Sequence, residues 1–371
     1  MGRRGWVFCA LLAAGCGSRV EVGAGAGGGA GGVEVVGGAP LGGAPLGGGS
    51  LGGGSLGGGG AGGGEPPLWE DAAAAPFECG EHTATSLDAT HVLIVGECST
   101  EAQAVTAAVY AYEERAFQLV ALDAPLEAIR WHAAIALGGG RAALVLSDGS
   151  TRTFSLASGF QAGPSLAVAR AQPSLVAEGD AVRIVGGETI GALLTETEIV
   201  DFAKGSVVAA PSLLVGRLGA ATVRLADGSI LVLGGADEAV PAERAASFAG
   251  PFEGIENVAG LASGTAALPL GGGGALATDT YATARYDGAF GPRLEHEVTF
   301  APAIALGSGR IYVAGTGLWS GDLRVERATA SGALELYATR DAAGEGTSLT
   351  AVGDHHLLVL SRDAHLLRLI D

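Results

Sequence analysis

The chain has 371 residues, 65 of them glycine, and only 16% are charged and 5% aromatic. Acidic residues outnumber basic ones 39 to 21, a formal net charge of −18. That balance excludes nucleic acid as an expected partner, because phosphate binding needs clustered Lys and Arg. Composition alone names no ligand and no activity.

The chain opens with Met1-Gly2-Arg3-Arg4, a short positive segment, followed by an apolar stretch over residues 6–14. That stretch is too short for a bilayer span of about 20 residues and fits the apolar core of a secretory signal. Leu11-Leu12-Ala13-Ala14-Gly15-Cys16 resembles the lipobox of bacterial lipoproteins, with Ala13 where that family more often has leucine. The resemblance implies that residues 1–15 are a signal peptide and that Cys16 carries the lipid. An ordinary signal peptide cleaved nearby, with Cys16 incidental, is the alternative. Gly17 stands where some lipoproteins carry an inner-membrane retention aspartate. The expected location is therefore the outer membrane or cell surface, with the lipid as the sole membrane contact.

Residues 16–64 read as a tether. Roughly half of them are glycine, and the segment holds near-repeats, Gly-Gly-Ala-Pro-Leu at 37–41 and 42–46 and Gly-Gly-Gly-Ser-Leu at 47–51 and 52–56. Such a segment buries too little apolar surface to offset its ordering entropy. As a Gly-rich coil it would reach about 35–40 Å end to end.

Residues 65–371 are different. Short apolar runs alternate with Gly- and Asp-containing turns, which predicts an all-β body. A strand–turn–strand unit recurs: 82–87 then 92–96, and 217–225 then 230–235 across the Asp227-Gly228 turn. Second strands are expected near Val92, Ala143, Val182, Ile230, Leu276, Ile311 and Leu357. The mean spacing of about 44 residues suits four-stranded propeller blades. The expected fold is a β-propeller of seven four-stranded blades, with six or eight as alternatives and a sandwich pair or solenoid as competing folds. Gly186-Gly187 and Gly234-Gly235 close second strands, and Phe202 and Phe248 follow. In these marks the body resembles the kelch-repeat propellers, although the later tryptophan of that family is missing.

A propeller joins its last blade to its first or leaves edges exposed. The last blade lacks a fourth strand at the C-terminus. Residues 77–79 are the expected closing strand, supplied from the N-terminal side, because Pro-Phe-Glu at 76–78 recurs at 251–253 before a later blade. On that register Cys79 and Cys98 emerge on one face of the ring. In an exported protein they are expected to form a disulfide, with two buried free thiols as the alternative.

No motif carries an evident chemistry. His355, His356, His365, Asp354 and Asp363 form the densest cluster of metal-ligand types, but neighbouring residues at a hairpin point apart, so neither metal nor cofactor is expected. No catalytic residue is identified either, although propeller active sites draw single residues from separate blades. The binding candidates are Arg130, Trp131 and His132 at a fourth-to-first connection, and Trp319 with Asp322 in a second-to-third loop. These connections share one face of the ring, and aromatic and Arg residues favour interfaces. The reading is a monomeric, lipid-anchored binding protein recognising a protein or glycan through that face. A propeller hydrolase or lyase acting on extracellular carbohydrate is the alternative.

Overall fold

The computed structural model describes residues 20–21, 35–36, 69–72, 78–99, 104–235, 242–255, 261, 265–270, 273–279, 282–295, 299–307, 310–317, 322–329, 333–340, 347–360 and 364–370. The body is a seven-bladed β-propeller. Each blade is an antiparallel four-stranded sheet. The first strand of each blade touches the first strands of both neighbours in a closed cycle, so first strands line the axis.

Blade one comprises Glu78–Ser86, His91–Ser99, Ala104–Ala111 and Ala116–Leu119. Blade two begins at Ala133–Gly138, blade three at Ser174–Glu178 and blade four at Ala221–Arg224. Blades five, six and seven begin at Ala266–Pro269, Thr299–Gly307 and Ser348–Val352. All seven expected second strands lie where the sequence spacing puts them, in His91–Ser99, Arg141–Val145, Ala181–Val185, Ile230–Leu233, Ala275–Thr278, Arg310–Gly317 and His356–Leu360.

The residue types follow from position in the ring. Second strands are flanked by neighbouring blades on both sides, so they read as unbroken apolar runs. Val92, Leu93, Ile94 and Val95 are all fully buried, as are Ile230, Leu231 and Val232. First strands crowd the axis and favour small side chains, such as Ala133 and Ala134, Ala221 and Thr222, and Ala266 and Ala267. This taper accounts for a core built largely of Ala, Val and Leu. Two dipeptide strands, Val20–Glu21 and Val35–Val36, pair with each other. They also pair with the first strands of blades seven and four respectively, and so bridge the channel.

The ring closes from the N-terminal side, but not through the expected segment. The fourth strand of blade seven is Trp69–Asp71, antiparallel to Ala364–Arg368. Glu78 and Cys79 belong instead to the first strand of blade one. The Pro-Phe-Glu analogy misled because Phe252–Ile255 is indeed a fourth strand, whereas Glu78–Ser86 runs past a β-bulge and absorbs residues 78–81 into a long first strand.

The closing strand ties three blades together. Trp69 Nε1 donates to the Thr339 carbonyl on blade six at 2.9 Å. Glu70 accepts from Arg115 of blade one at 2.6 Å and faces His356 of blade seven at 3.5 Å. The Tyr112 hydroxyl meets His356 Nδ1 at 2.8 Å. Burial works against the Glu70 charge, yet the Arg115 bond and the nearby His356 hold its carboxyl below the usual range. A chain starting at residue 64 is therefore expected to unfold in one transition by calorimetry. A chain starting at residue 74 leaves the Ala364–Arg368 edge open and melts lower and more broadly; equal melting curves would contradict this closure.

Candidate functional site

Two seams of the ring are held by one repeated device. Arg170 and Arg217 lie just upstream of the first strands of blades three and four, fully buried. Arg170 pairs with Glu198 on the third strand of its own blade at 2.5 Å, and Arg217 pairs with Glu243 at 3.0 Å. Arg170 also donates to the Gly186 carbonyl at 3.0 Å, and Arg217 to the Gly234 carbonyl at 2.7 Å. Each carboxylate accepts a backbone N–H from the preceding loop at 2.7 Å, from Ala167 and Leu214. Burial lowers both guanidinium pKa values, and the paired carboxylates offset this only in part. The double glycines are part of the device. Gly186 and Gly187 have φ of 62° and 102°, and a Cβ on Gly186 would come within 2.6 Å of the Arg217 carbonyl. These buried groups are satisfied, as a structural seam requires.

The seam between blades one and two is built differently. A helical turn, Leu126–Ile129, follows Pro125 in the connection between these blades. Ala128 and Ile129 are buried beneath it, which leaves the next residues at the rim. The Arg130 guanidinium lies 5.2 Å from the centroid of the Trp131 ring and 3.9 Å from Glu97. The Trp131 carbonyl accepts the Gln172 N–H at 2.9 Å, fixing the rim to blade three. His132 is buried, with Nδ1 2.6 Å from the Ile129 carbonyl. A carbonyl only accepts, so Nδ1 carries the proton, and in the neutral ring Nε2 accepts from the Thr83 hydroxyl at 2.7 Å. On the opposite side of the same strand, His82 Nε2 meets Ser348 Oγ of blade seven at 3.0 Å.

Glu81 sits among these groups, and sequence reasoning missed it. Cys79 is opposite Cys98 and His82 is opposite Gly96, so residues 80 and 81 face residue 97 alone. A bulge of this kind re-aims a side chain. A Cβ on Gly96 would collide with the Glu81 carbonyl and the His82 Cβ, so only glycine admits this arrangement. Glu81 is 9% exposed, and its Oε2 has no hydrogen-bond partner among the described residues. Burial pushes the Glu81 carboxyl up to about 8; Arg130 opposes the shift and Glu97 adds to it. At neutral pH this group is a carboxylic acid that can donate as well as accept.

Of the expected site residues, Arg130, Trp131 and His132 are brought to this seam. Asp322 lies on blade six, half-buried, directly before Leu323–Ala328. Its Oδ1 has no hydrogen-bond partner among the described residues. Trp319 and Cys16 lie outside the described residues. His356 serves the ring closure, and no metal-binding group of three or more His, Cys, Asp or Glu occurs among the described residues.

No family model and no curated protein matches this chain. Its fold is similar to that of the crystal structure of selenomethionine-substituted virginiamycin B lyase from Staphylococcus aureus. The TM-score is 0.57 at 11% identity, covering 80% of this chain and 96% of that one. At that identity the likeness extends to the propeller fold alone.

The site carries a stability signature. An unfolded glutamate ionises near 4.5, whereas Glu81 in the fold keeps its proton to about 8. The folded state therefore binds more protons between these values, and stability falls as pH rises from about 4.5 to about 8. Glu81→Gln removes that component. Thermal melts are expected to show the variant gaining on the wild type across this window, and a difference independent of pH would contradict the assignment.

Proposed function

We propose that this chain is an exported, lipid-anchored propeller that binds a protein or glycan partner through the face carrying Arg130, Trp131 and His132. The observation that carries the reading is the Arg130–Trp131 pair at the rim, with Arg130 also near the buried Glu81 carboxyl, whose Oε2 has no hydrogen-bond partner among the described residues. Adjacent aromatic and Arg side chains at a rim are the composition of an interface anchor. Arg130→Ala and Trp131→Ala are each expected to weaken partner capture by crosslinking at least tenfold while shifting the melting temperature little. Undiminished capture by both would contradict the reading.

The repeated Arg–Glu pairs and double glycines of blades three and four support a kelch-like origin of the repeats. The Cα register of Cys79 with Cys98 supports a disulfide between them. Such a link would pin the bulged end of blade one and stabilise it by about 2–4 kcal/mol. The charged n-region and the lipobox-like residues before Cys16 support a lipid anchor, on the outer membrane or cell surface. Cys16→Ser is expected to release the protein from the detergent phase or block its processing; a mature N-terminus mapped elsewhere by mass spectrometry would contradict the anchor.

A second reading, a propeller hydrolase or lyase acting on extracellular carbohydrate, draws on one specific observation. A proton-holding Glu81 is followed in the first strand of blade one by the buried His82, and the buried His132 bonds Thr83 of the same strand; carboxyl and imidazole groups are suited to acid–base chemistry. The structural neighbour's name, a lyase, is compatible with that reading.

A further inference from the structure

Resting on the binding reading above, we propose that a small hairpin of blade three is a second anchor on the same face, inserting Ile190 into an apolar, basic-rimmed pocket of a protein partner. The connection between the second and third strands of blade three, residues 186–196, is the longest of its kind in the ring. It folds into two strands of its own, Glu188–Thr189 and Ala192–Leu193, with Thr189 opposite Ala192. Ile190-Gly191 is therefore a two-residue loop. The stem is held firmly. Ala171 and Glu188 exchange two backbone hydrogen bonds at 2.9 Å, and the Leu194 N–H donates to the Gly187 carbonyl at 2.8 Å. Gln172, next to Ala171, donates to the Trp131 carbonyl at 2.9 Å. One backbone run thus fixes both the hairpin and the Trp131 rim.

Isoleucine does not suit this turn. Ile190 and Gly191 have φ of 43° and 75°. Left-handed backbone crowds a β-branched side chain, and two-residue loops with both residues at positive φ favour Asn-Gly or Asp-Gly. The side chain buries nothing in return, because it is fully exposed. Neither the turn nor the core accounts for an isoleucine here, whereas a pocket on another molecule does. The tip also has apolar neighbours. Leu193 and Leu214 are 47% and 58% exposed. Leu193 lies against Gly216, where an added Cβ would come within 2.8 Å of the Leu193 Cβ. An aliphatic ridge therefore runs from the hairpin to the connection entering blade four.

The surrounding charge selects the partner. Glu188 is half-buried and Glu196 exposed, one on each side of the hairpin. The guanidiniums at its base, Arg170 and Arg217, are buried and paired with Glu198 and Glu243. An aliphatic knob offers a sugar neither a donor nor an acceptor. Elements that enter a lipid surface carry Lys or Arg beside their apolar residues, and here the flanks are acidic. A second copy of the chain would bring the same acidic surface, at −18 per chain. A protein pocket that is apolar inside and bordered by Lys or Arg complements both the ridge and its flanks.

The test places a photoreactive benzoylphenylalanine at position 190 of the full-length protein in the cells that make it. The control position is 204, in the turn between Thr197–Asp201 and Ser206–Ala210 at the opposite end of the blade. Irradiation is expected to join position 190, and not 204, to one protein, at apolar residues with Lys or Arg beside them as mapped by peptide mass spectrometry. That protein, purified, is then titrated against the full-length chain in detergent. Ile190→Asn is expected to lower affinity at least tenfold while raising the melting temperature by about 1–3 °C, because asparagine suits the turn. The opposite signs separate a binding residue from a folding one. Wild-type affinity should fall at least about threefold when salt rises from about 0.05 to 0.5 M. The proposal is overturned by the absence of an adduct at position 190, or by adducts to lipid or to a second copy alone. Unchanged affinity or a lower melting temperature in Ile190→Asn, or binding independent of salt, overturns it equally. Trp131→Ala separates this proposal from the reading beneath it. If Trp131→Ala weakens the partner and Ile190→Asn does not, the hairpin fails and the face stands. If only Ile190→Asn weakens it, the hairpin binds alone and the Arg130–Trp131 reading fails.

Discussion

Closure of the ring is the constraint on which the rest of this structure depends. Each blade is a thin sheet whose two faces are covered only by its neighbours, so an open ring would expose both ends of the apolar stack. Trp69–Asp71 resolves this by completing blade seven from the N-terminal side. It does so with side chains that reach blades one, six and seven at once. A three-residue strand contributes few backbone hydrogen bonds. Its grip comes from the Trp69 indole and the Glu70 carboxylate, both of which cross to other blades.

Once the ring is closed, every seam must bury polar strand ends without leaving them unsatisfied. Blades three and four share one solution, a buried Arg–Glu pair with backbone donors on the carboxylate and glycine carbonyls on the guanidinium. Net stabilisation from such a pair is small, because desolvation offsets most of the attraction, while removal of one partner leaves an uncompensated charge costing about 3–5 kcal/mol. The pairs therefore act chiefly to fix the connection entering each blade against that blade's own second and third strands. Arg183 extends the same logic without a carboxylate. It is fully buried on blade three and donates to the Phe248 and Gly250 carbonyls of blade four at 2.8 and 2.9 Å, over the Phe252 ring. Against these seams, the bulged junction of blades one and two stands out. Its carboxyl is buried near the Arg130 guanidinium and the Glu97 carboxylate, and its Oε2 has no hydrogen-bond partner among the described residues.

The sequence carried the ring more clearly than the site. Apolar second strands ended by glycine at a regular spacing gave away the blades, because burial on both faces leaves no polar alternation to confuse the period. Gly186-Gly187 and Gly234-Gly235 were visible for a physical reason, positive φ and close backbone approach. The closing strand was obscured because Trp69–Asp71 has no internal homologue, whereas residues 76–78 imitate a fourth strand found elsewhere. Arg130 and Trp131 were legible as a pair of anchors between strands. Glu81 was not, since nothing in Gly80-Glu81-His82 marks a bulge. Its chemistry arises from burial in the folded ring, with Arg130 brought near it from about fifty residues along the chain. Gly96 was the one faint signal, a glycine inside an otherwise apolar strand.

The account turns on Glu81 being a buried, proton-holding carboxyl at this junction. The most direct measurement is a pH titration of its side-chain carboxyl by carbon-13 NMR, with the resonance assigned by its loss in Glu81→Gln. A midpoint near 8 is the result predicted by its burial. A midpoint in the ordinary carboxylate range, near 4.5, would mean that water reaches the group freely and would contradict the account.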